Sequence, residues 1–211
     1  MIKTTIKLIV VASLFLSSVG NSYAEETLSS LMQKLKSTPK AKVAYEETRK
    51  MQLMSEPWKG SGYLYSLPPE LMIREQLEPQ RLVMGIKGNT TLYYDPKENI
   101  RQQIELDGDN ELSVPLGMFK ALVNADEALL RSLFNIEFIS KAQIWTMALQ
   151  PIKKAGPITK IVITGLSGQR ANKIDIQQED GDSSEFILKE ETDNSKHNIP
   201  INTLYKELLG D

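Results

Sequence analysis

Residues 71–95, LMIREQLEPQRLVMGIKGNTTLYYD, carry a clear strand pattern. Apolar side chains recur here with a period of about two residues, which is typical of β-strands. Pro79 and the pair Gly88-Asn89 interrupt the pattern with turn signals. The predicted strands are residues 71–77, 82–86 and 90–94. Because the connections are too short for a crossover, neighbouring strands must run antiparallel.

The same period continues on both sides of this stretch. Val43 and Tyr45, and then Met51 and Leu53, alternate with polar neighbours and predict strand. The other predicted strands are residues 62–65, 100–106, 144–150, 159–164, 171–178 and 184–188. A sheet of about ten strands cannot stay flat without leaving one face bare. We therefore expect a single strongly curved antiparallel sheet, an incomplete β-barrel.

Helical periodicity is present in three places. Residues 28–35 place apolar side chains at i, i+3, i+4 and i+7, which predicts an amphipathic helix that ends before Pro39. Residues 116–134 predict two short helices, the second capped by Asn124, and residues 202–209 predict a terminal helix. The two short helices would cover the concave face. The expected fold class is mainly β (α+β), with a helical lid over an apolar cavity.

The first 24 residues predict a cleaved export signal. Lysines precede the almost wholly apolar residues 8–19, and small residues at Ser22 and Ala24 suit a signal peptidase. About twelve apolar residues fall short of the roughly twenty that span a bilayer, which disfavours the alternative of an uncleaved anchor. Cleavage after Ala24 would leave residues 25–211 as a single domain, which we expect in a bacterial periplasm.

The sequence is poor in catalytic groups. It has no Cys and a single His, His197, which we expect to be exposed in a polar stretch. It has no phosphate-binding glycine loop, no nucleophile elbow and no metal-ligand spacing. We therefore predict no enzyme, no cofactor and no metal. The 25 basic and 27 acidic residues include no basic block, which disfavours a nucleic-acid partner.

A two-acid glycosidase is the enzymatic alternative. Glu46, Glu47, Glu75 and Glu105 all lie in the predicted sheet, where carboxylates from different strands could meet. Alternating strands normally carry their acids on the solvent face. We expect these four glutamates there.

The apolar residues are more informative than the polar ones. Of eight methionines, seven follow the export signal, and most of these fall in predicted strands or in the lid. Methionine is flexible and polarisable, which suits a surface that adapts to several apolar ligands. The alternative, that the methionines fill gaps in a packed core, stays open at this point.

Three motifs resemble the family of the periplasmic lipoprotein carrier LolA. They are GYLYSLP at residues 62–68, LMIR at 71–74 and LVMGIKGNTTLYYDP at 82–96. In that family a strand, a glycine turn, an aromatic strand and an Asp/Asn-Pro step follow in this order. The resemblance covers roughly residues 27–190, including the order of the lid and the later strands.

The resemblance implies an eleven-stranded half-barrel closed by a helical lid, with an apolar cavity that holds lipoprotein acyl chains. It also implies an inner-membrane exporter and an outer-membrane acceptor as partners. Two departures concern the lid and the cargo. Leu67 stands before Pro68 where the family has a basic residue that helps to latch the lid, and the tail after His197 differs from the family's.

The leading hypothesis is a monomeric carrier of acyl chains between the inner and outer membranes. The candidate ligand-binding residues are the apolar side chains of the predicted cavity and lid: Met51, Leu53, Tyr63, Leu71, Ile73, Leu82, Met84, Leu92, Tyr94, Ile104, Phe119, Leu122, Leu129 and Leu133. One alternative is a carrier of a glycolipid or another hydrophobic envelope product. Another is a regulatory module that senses lipoproteins.

Overall fold

In the computed structural model, eleven strands of the described chain form one antiparallel sheet. The strands are β1 (Ala41–Lys50), β2 (Trp58–Leu67), β3 (Leu71–Glu78), β4 (Leu82–Lys87), β5 (Thr90–Asp95), β6 (Ile100–Glu105), β7 (Phe134–Lys141), β8 (Ile144–Pro151), β9 (Ile158–Leu166), β10 (Ala171–Gln178) and β11 (Ser183–Glu190). Their order is β6-β5-β4-β3-β2-β1-β11-β10-β9-β8-β7. The end strands β6 and β7 do not pair, so the sheet is not closed into a barrel. The predicted fold class is confirmed.

The structure describes residues 26–36, 41–69, 71–105, 117–118, 120–122, 124–154, 156–190, 197 and 199–211. The predicted export signal, residues 1–24, lies outside these ranges. Within them, no helix has the length and apolar character needed to cross a bilayer.

The helices of the described residues are short. They are α1 (Leu28–Lys36), α2 (Glu127–Leu133) and α3 (Ile201–Leu209), and residues 117–118 and 120–122 add a further helical segment. In α3, Leu204 and Leu208 lie one turn apart and are both buried. Gly210 ends that helix in the left-handed conformation, with its N–H bonded to carbonyls of the last turn.

The strand register divides the sheet into two faces. Residues directly opposite each other in an antiparallel pair point to the same face. Leu64 pairs with Val43 and Arg74, and Arg74 pairs with Met84, so these four share what we call the inner face. The outer face is the other side of the sheet, and in β3 it carries Ile73.

Each face has its own core, on a different part of the sheet. On the inner face, α1, α2 and the segment at 117–122 pack against β7–β11; the buried residues are Leu28, Leu31, Met32, Met118, Ala121, Leu130, Phe134, Trp145, Met147, Leu149, Ile161, Ile163 and Ile174. On the outer face, α3 packs against β2–β5; the buried residues are Tyr65, Leu71, Ile73, Val83, Leu92, Leu204 and Leu208.

Two predictions about the strands are wrong. Residues 51–53 form a turn after β1, where Leu53 is fully exposed, because the Gln52 N–H is bonded to Asp182 Oδ1 and does not extend the ladder. Strand β7 was not predicted, since the helical spacing of residues 129–134 concealed its start. Helix α2 in fact ends at Leu133, and Phe134 is already in extended backbone.

The predicted cap of the second lid helix is also wrong. Asp126, not Asn124, is the N-cap of α2, and its Oδ1 accepts a hydrogen bond of 2.9 Å from the N–H of Leu129. Asn124 lies in the preceding turn, where Ala125 has a positive φ of 50°. The reversal of the chain at Ala125 therefore leaves Asn124 too early to reach the free N–H groups of the helix.

Candidate functional site

An apolar cavity of about 280 Å³ lies against the inner face. Its described strand residues are apolar with few exceptions: Val43, Leu64, Tyr65, Ser66, Met72, Arg74, Met84, Gly85, Ile86 and Thr91 from β1–β5, and Trp145, Met147, Ile163, Ala171, Ile174 and Leu188 from β8–β11. Leu31 and Leu35 of α1, Leu122, and Arg170 between β9 and β10 complete the described lining.

The lining shows how strongly the sheet curves. Met84 on β4 and Met147 on β8 border the same cavity, although seven inter-strand steps separate their strands in the sheet order. At about 4.8 Å a step, a flat sheet would hold them roughly 34 Å apart. The inner face is therefore concave.

The cavity is present because the described helices cover only part of this concave face. Leu31 is almost fully buried and belongs to the packed core over β7–β11, while it also borders the cavity. Met72 and Met84, on the far side, are only half-buried. Apolar surface left in this state is stabilised by any hydrocarbon that replaces water there.

One charged cluster interrupts the apolar wall. Arg74 Nη2 donates to Glu47 Oε2 at 2.6 Å and to Gln76 Oε1 at 3.1 Å, and Arg49 Nε donates to Glu47 Oε1 at 2.5 Å. Glu47 is buried, with 1% of its side chain exposed, whereas Arg74 keeps 21%. One buried carboxylate is thus shared by two guanidinium groups.

Tyr45 packs against the guanidinium group of Arg74 in this cluster. Its ring lies 5.1 Å from the guanidinium carbon of Arg74, a distance suited to a cation–π contact. Burial raises the pKa of Tyr45 to about 12, against the opposing effect of Arg74. The phenol is therefore neutral at physiological pH and adds no negative charge beside Arg74.

A second buried cluster lies on the outer face. Glu75 is fully buried; it accepts hydrogen bonds from Tyr65 Oη at 3.2 Å and Arg81 Nε at 3.0 Å, and its Oε2 lies 2.7 Å from His197 Nε2. Arg81 also bonds both carboxylate oxygens of Glu207 in α3, at 2.5 and 2.8 Å. This cluster ties the C-terminal segment to the sheet.

Two expectations about these polar residues are corrected. His197 is not simply exposed: its ring stacks on Tyr63 at 4.8 Å and contacts Glu75, so three-quarters of the side chain is covered. Glu47 and Glu75 are buried against arginines, whereas Glu46 and Glu105 are exposed. Since Glu47 lies on the inner face and Glu75 on the outer, these two buried acids do not share a cleft.

The predicted ligand-binding residues are distributed over both faces. Met84 and Leu122 line the cavity, and Leu82 and Ile104 lie on the inner face beside it. Leu129 and Leu133 pack against the inner core. The residues that instead lie on the outer face around α3 are Tyr63, Leu71, Ile73, Leu92 and Tyr94.

Three of the predicted residues lie elsewhere. Met51 and Leu53 belong to the turn after β1, and Phe119 lies outside the described residues. Lining residues that the sequence prediction missed include Val43, Leu64, Met72, Ile86 and Arg74. Met72 and Ile86 could have been found from Met84 alone, because the antiparallel register puts them on its face.

Comparison with known proteins finds likeness only among solved structures. No protein-family profile matches the sequence, and no curated protein matches it. A LolA superfamily protein from Nitrosomonas europaea is 12% identical with a TM-score of 0.48, over 86% of this chain and 99% of that one. A putative outer membrane lipoprotein-sorting protein domain from Vibrio parahaemolyticus is 11% identical with a TM-score of 0.47, over 87% and 97%.

The lipoprotein LppX from Mycobacterium tuberculosis is 10% identical with a TM-score of 0.36, over 82% of this chain and 97% of that one. The solved structures that are similar to the chain thus include LolA superfamily and lipoprotein-sorting proteins, the family that the sequence motifs resemble, at low sequence identity.

Proposed function

We propose that this chain is a non-enzymatic periplasmic carrier. Its inner-face cavity would shield acyl chains while they cross from the inner to the outer membrane. The observation that carries the proposal is the apolar concavity itself, which the side chains of the described residues leave unfilled. Lipoprotein acyl chains are the cargo that the sequence resemblance suggests. An inner-membrane exporter and an outer-membrane acceptor would be the partners of a monomeric domain, residues 25–211.

Hydrocarbon needs such a shield to cross water. Each buried methylene is worth about 0.8 kcal/mol, so one chain of roughly sixteen carbons resists leaving a membrane by about 13 kcal/mol. Transfer through free solution is therefore negligible. A carrier must take the chain directly from a membrane or from another apolar cavity, and release it in the same way.

Burial and one exposed hydrogen bond hold the described cover of the cavity. Leu35 and Leu122 are only partly buried, whereas Met118 and Ala121, in the same helical segment as Leu122, are fully buried. Lys120, in the same helical segment as Leu122, donates to Asn89 Oδ1 in the β4–β5 turn at 3.3 Å, in an exposed position. An exposed hydrogen bond of this kind contributes little net stability, so the cost of opening this side is set by the burial of Met118 and Ala121.

The test compares two matched variants. Met84→Trp places a larger side chain in the cavity wall, whereas Met54→Trp makes the same change in the exposed turn after β1. Each protein is purified from its own cell envelope and extracted for mass spectrometry. We expect acyl lipid or lipoprotein with the wild type and with Met54→Trp, and a several-fold loss with Met84→Trp. Wild-type protein that carries no acyl compound and binds none afterwards would refute the carrier.

A second candidate cargo is a glycolipid or another hydrophobic envelope product. The observation that favours it is Arg74, a cation in the cavity wall for which a purely hydrocarbon cargo has no use. The same mass spectra identify which cargo is present.

A further inference from the structure

The described lining of the cavity contains cations and no acid. Its ionised side chains are Arg74 on β3 and Arg170 between β9 and β10, and its other described residues are apolar or neutral. Charge is costly beside hydrocarbon unless it is paired. A site meant for acyl chains alone gains nothing from an arginine, so the place of Arg74 calls for an explanation.

The charge of Arg74 is only partly balanced. Its carboxylate partner, Glu47, is also held by Arg49. Two guanidinium groups around one carboxylate leave the cluster with a net positive charge. No other described acid lines the cavity to cancel it.

Arg74 also keeps unused hydrogen-bond donors. Nη2 makes both oxygen contacts, to Glu47 and Gln76, while Nη1 reaches only the thioether sulfur of Met84, at 3.9 Å. Thioether sulfur is a weak acceptor. Nε is buried and has no hydrogen-bond partner. The buried hydroxyl of Tyr45, beside Arg74, has no hydrogen-bond partner either. Because Nε has no surface open to the cavity, a ligand oxygen would bind at the exposed fifth of the Arg74 side chain.

A neutral polar group on the same wall is in a similar state. The hydroxyl oxygen of Thr91 is buried without a hydrogen-bond partner, and Thr91 lines the cavity with 8% of the residue exposed. The concave wall therefore holds unsatisfied polar atoms on two strands, β3 and β5. The Thr91 hydroxyl oxygen has no surface open to the cavity, so the partly exposed Arg74 is the group that a polar atom of a ligand would contact.

We propose that Arg74 is a head-group site, and that the cavity takes a hydrocarbon chain ending in an anionic group, a carboxylate or a phosphate. The planar guanidinium matches the oxygens of either group, while the chain lies against Met72, Met84 and Ile86. The inference rests on the proposed function, since it requires that the cavity binds hydrocarbon. It adds that the cargo is an anionic amphiphile.

The experiment measures displacement of the neutral fluorophore N-phenyl-1-naphthylamine from delipidated protein at neutral pH. The competitors share one sixteen-carbon chain: palmitate, hexadecyl phosphate and hexadecanol. We expect at least one anionic competitor to bind about tenfold or more tightly than hexadecanol, because hydrogen bonds to charged groups are the stronger ones. The ratio between palmitate and hexadecyl phosphate identifies the head group.

Substitutions then assign the preference to Arg74. Arg74→Gln should weaken the binding of the anionic competitors about tenfold and leave the affinity for hexadecanol unchanged. Arg74→Lys should restore part of the lost affinity. The matched control is Arg131→Gln, an equal charge change on the exposed side of α2. Glu47→Gln should tighten the anions, because it removes the competing carboxylate, and it tests the idea independently if Arg74→Gln fails to fold.

The outcomes separate the two proposals. Equal binding of all three competitors overturns the head-group site while the carrier stands. An anion preference that survives Arg74→Gln, with Glu47→Gln also without effect, does the same. A tripalmitoyl-cysteinyl peptide has acyl chains but no anionic head group. If it binds as tightly as the best anion, and does so independently of Arg74, the head-group site is also overturned. If neither the fluorophore nor any competitor binds, both proposals fail.

Discussion

The two halves of the sheet bury hydrocarbon in different ways. In β7–β11 most of the inner face is covered by α1, α2 and the helical segment of residues 117–118 and 120–122, and side chains such as Leu149 and Ile161 are completely buried. In β2–β5 the protein covers the outer face with α3 and leaves the inner face bordering a cavity. One half is therefore stabilised through its inner face. The other half is stabilised through its outer face, because the described helices leave its inner face bordering the cavity.

This difference explains the place of the C-terminal helix. A two-sided apolar sheet that packed on neither face would expose a large hydrophobic area. Leu204 and Leu208 of α3 close the outer face, so the inner face can hold a ligand without the strands losing their core. The proposed carrier function and the C-terminal helix are physically linked in this way.

The comparison is tested first by one substitution made in both halves. Leu149→Ala removes a fully buried side chain from the packed half, and we expect it to lower the free energy of unfolding by about 2–5 kcal/mol. Leu64→Ala makes the same change on the same face, but beside the cavity, where Leu64 is half-buried. We expect less than half that loss, because fewer packing contacts disappear.

Urea denaturation of the delipidated proteins measures both values. Equal losses of stability at the two positions would mean that the inner face is packed alike in both halves of the sheet. The distinction between a packed half and a half beside the cavity would then be wrong. Bound lipid would stabilise the folded state and obscure the difference, so delipidation is the necessary control.

The second prediction concerns a substitution in β4 that should affect packing on the outer face but not binding on the inner face. An ideal Cβ at Gly85 would lie 2.6 Å from Leu208 Cδ1, well inside contact distance. Gly85→Ala should therefore force the end of the Leu208 side chain to shift within the buried outer core, and overpacking there should cost about 1–3 kcal/mol. Affinity for an apolar fluorophore should change little, since the added methyl group lies on the face opposite the cavity.

Leu208→Ala is the partner substitution for this test. It creates space where Gly85→Ala needs it, so the double variant should lose less stability than the sum of the two single losses, by about 0.5–3 kcal/mol. Additive losses would show that Gly85 and Leu208 are not in contact and that α3 lies elsewhere.

Most strands could be predicted from the sequence because period and turns agree there. Residues 82–86 and 90–94 fall inside β4 and β5, and the turn at Gly88 has the positive φ, 60°, that glycine favours. Strand β7 was missed although Phe134, Ile136 and Phe138 alternate. The helical spacing that ends at Leu133 runs into this alternation without a glycine or proline between them.

The cavity wall was harder to predict than the fold. A two-residue period assigns residues to a face only when one face is polar, but Met72 and Ile73 are both apolar and lie on opposite faces. Both faces of β3 are apolar because α3 covers one of them, and α3 comes more than a hundred residues later. Arg74 could not be assigned to the cavity for the same reason.

The smallest expected effect concerns the ion pair between Arg81 and Glu207, which joins α3 to the sheet. Hydrogen bonds from Arg81 lower the pKa of Glu207, and burial opposes them; Arg101 donates to the backbone of the same residue, and Glu75 shares Arg81. A carboxylate whose pKa is depressed in the folded state stabilises it above the unfolded pKa, near 4.3, and loses this contribution as pH falls through the folded value.

Glu207→Gln should therefore be less stable than the wild type at neutral pH, and the difference should vanish on acidification. We expect about 1 kcal/mol or less, because both partners keep almost a third of their side chains exposed. Thermal unfolding at several pH values measures it, with Glu98→Gln on the exposed β5–β6 turn as the control. A difference that persists at low pH would show that Glu207 holds α3 by packing rather than by charge, and the outer face would then be closed by hydrocarbon alone.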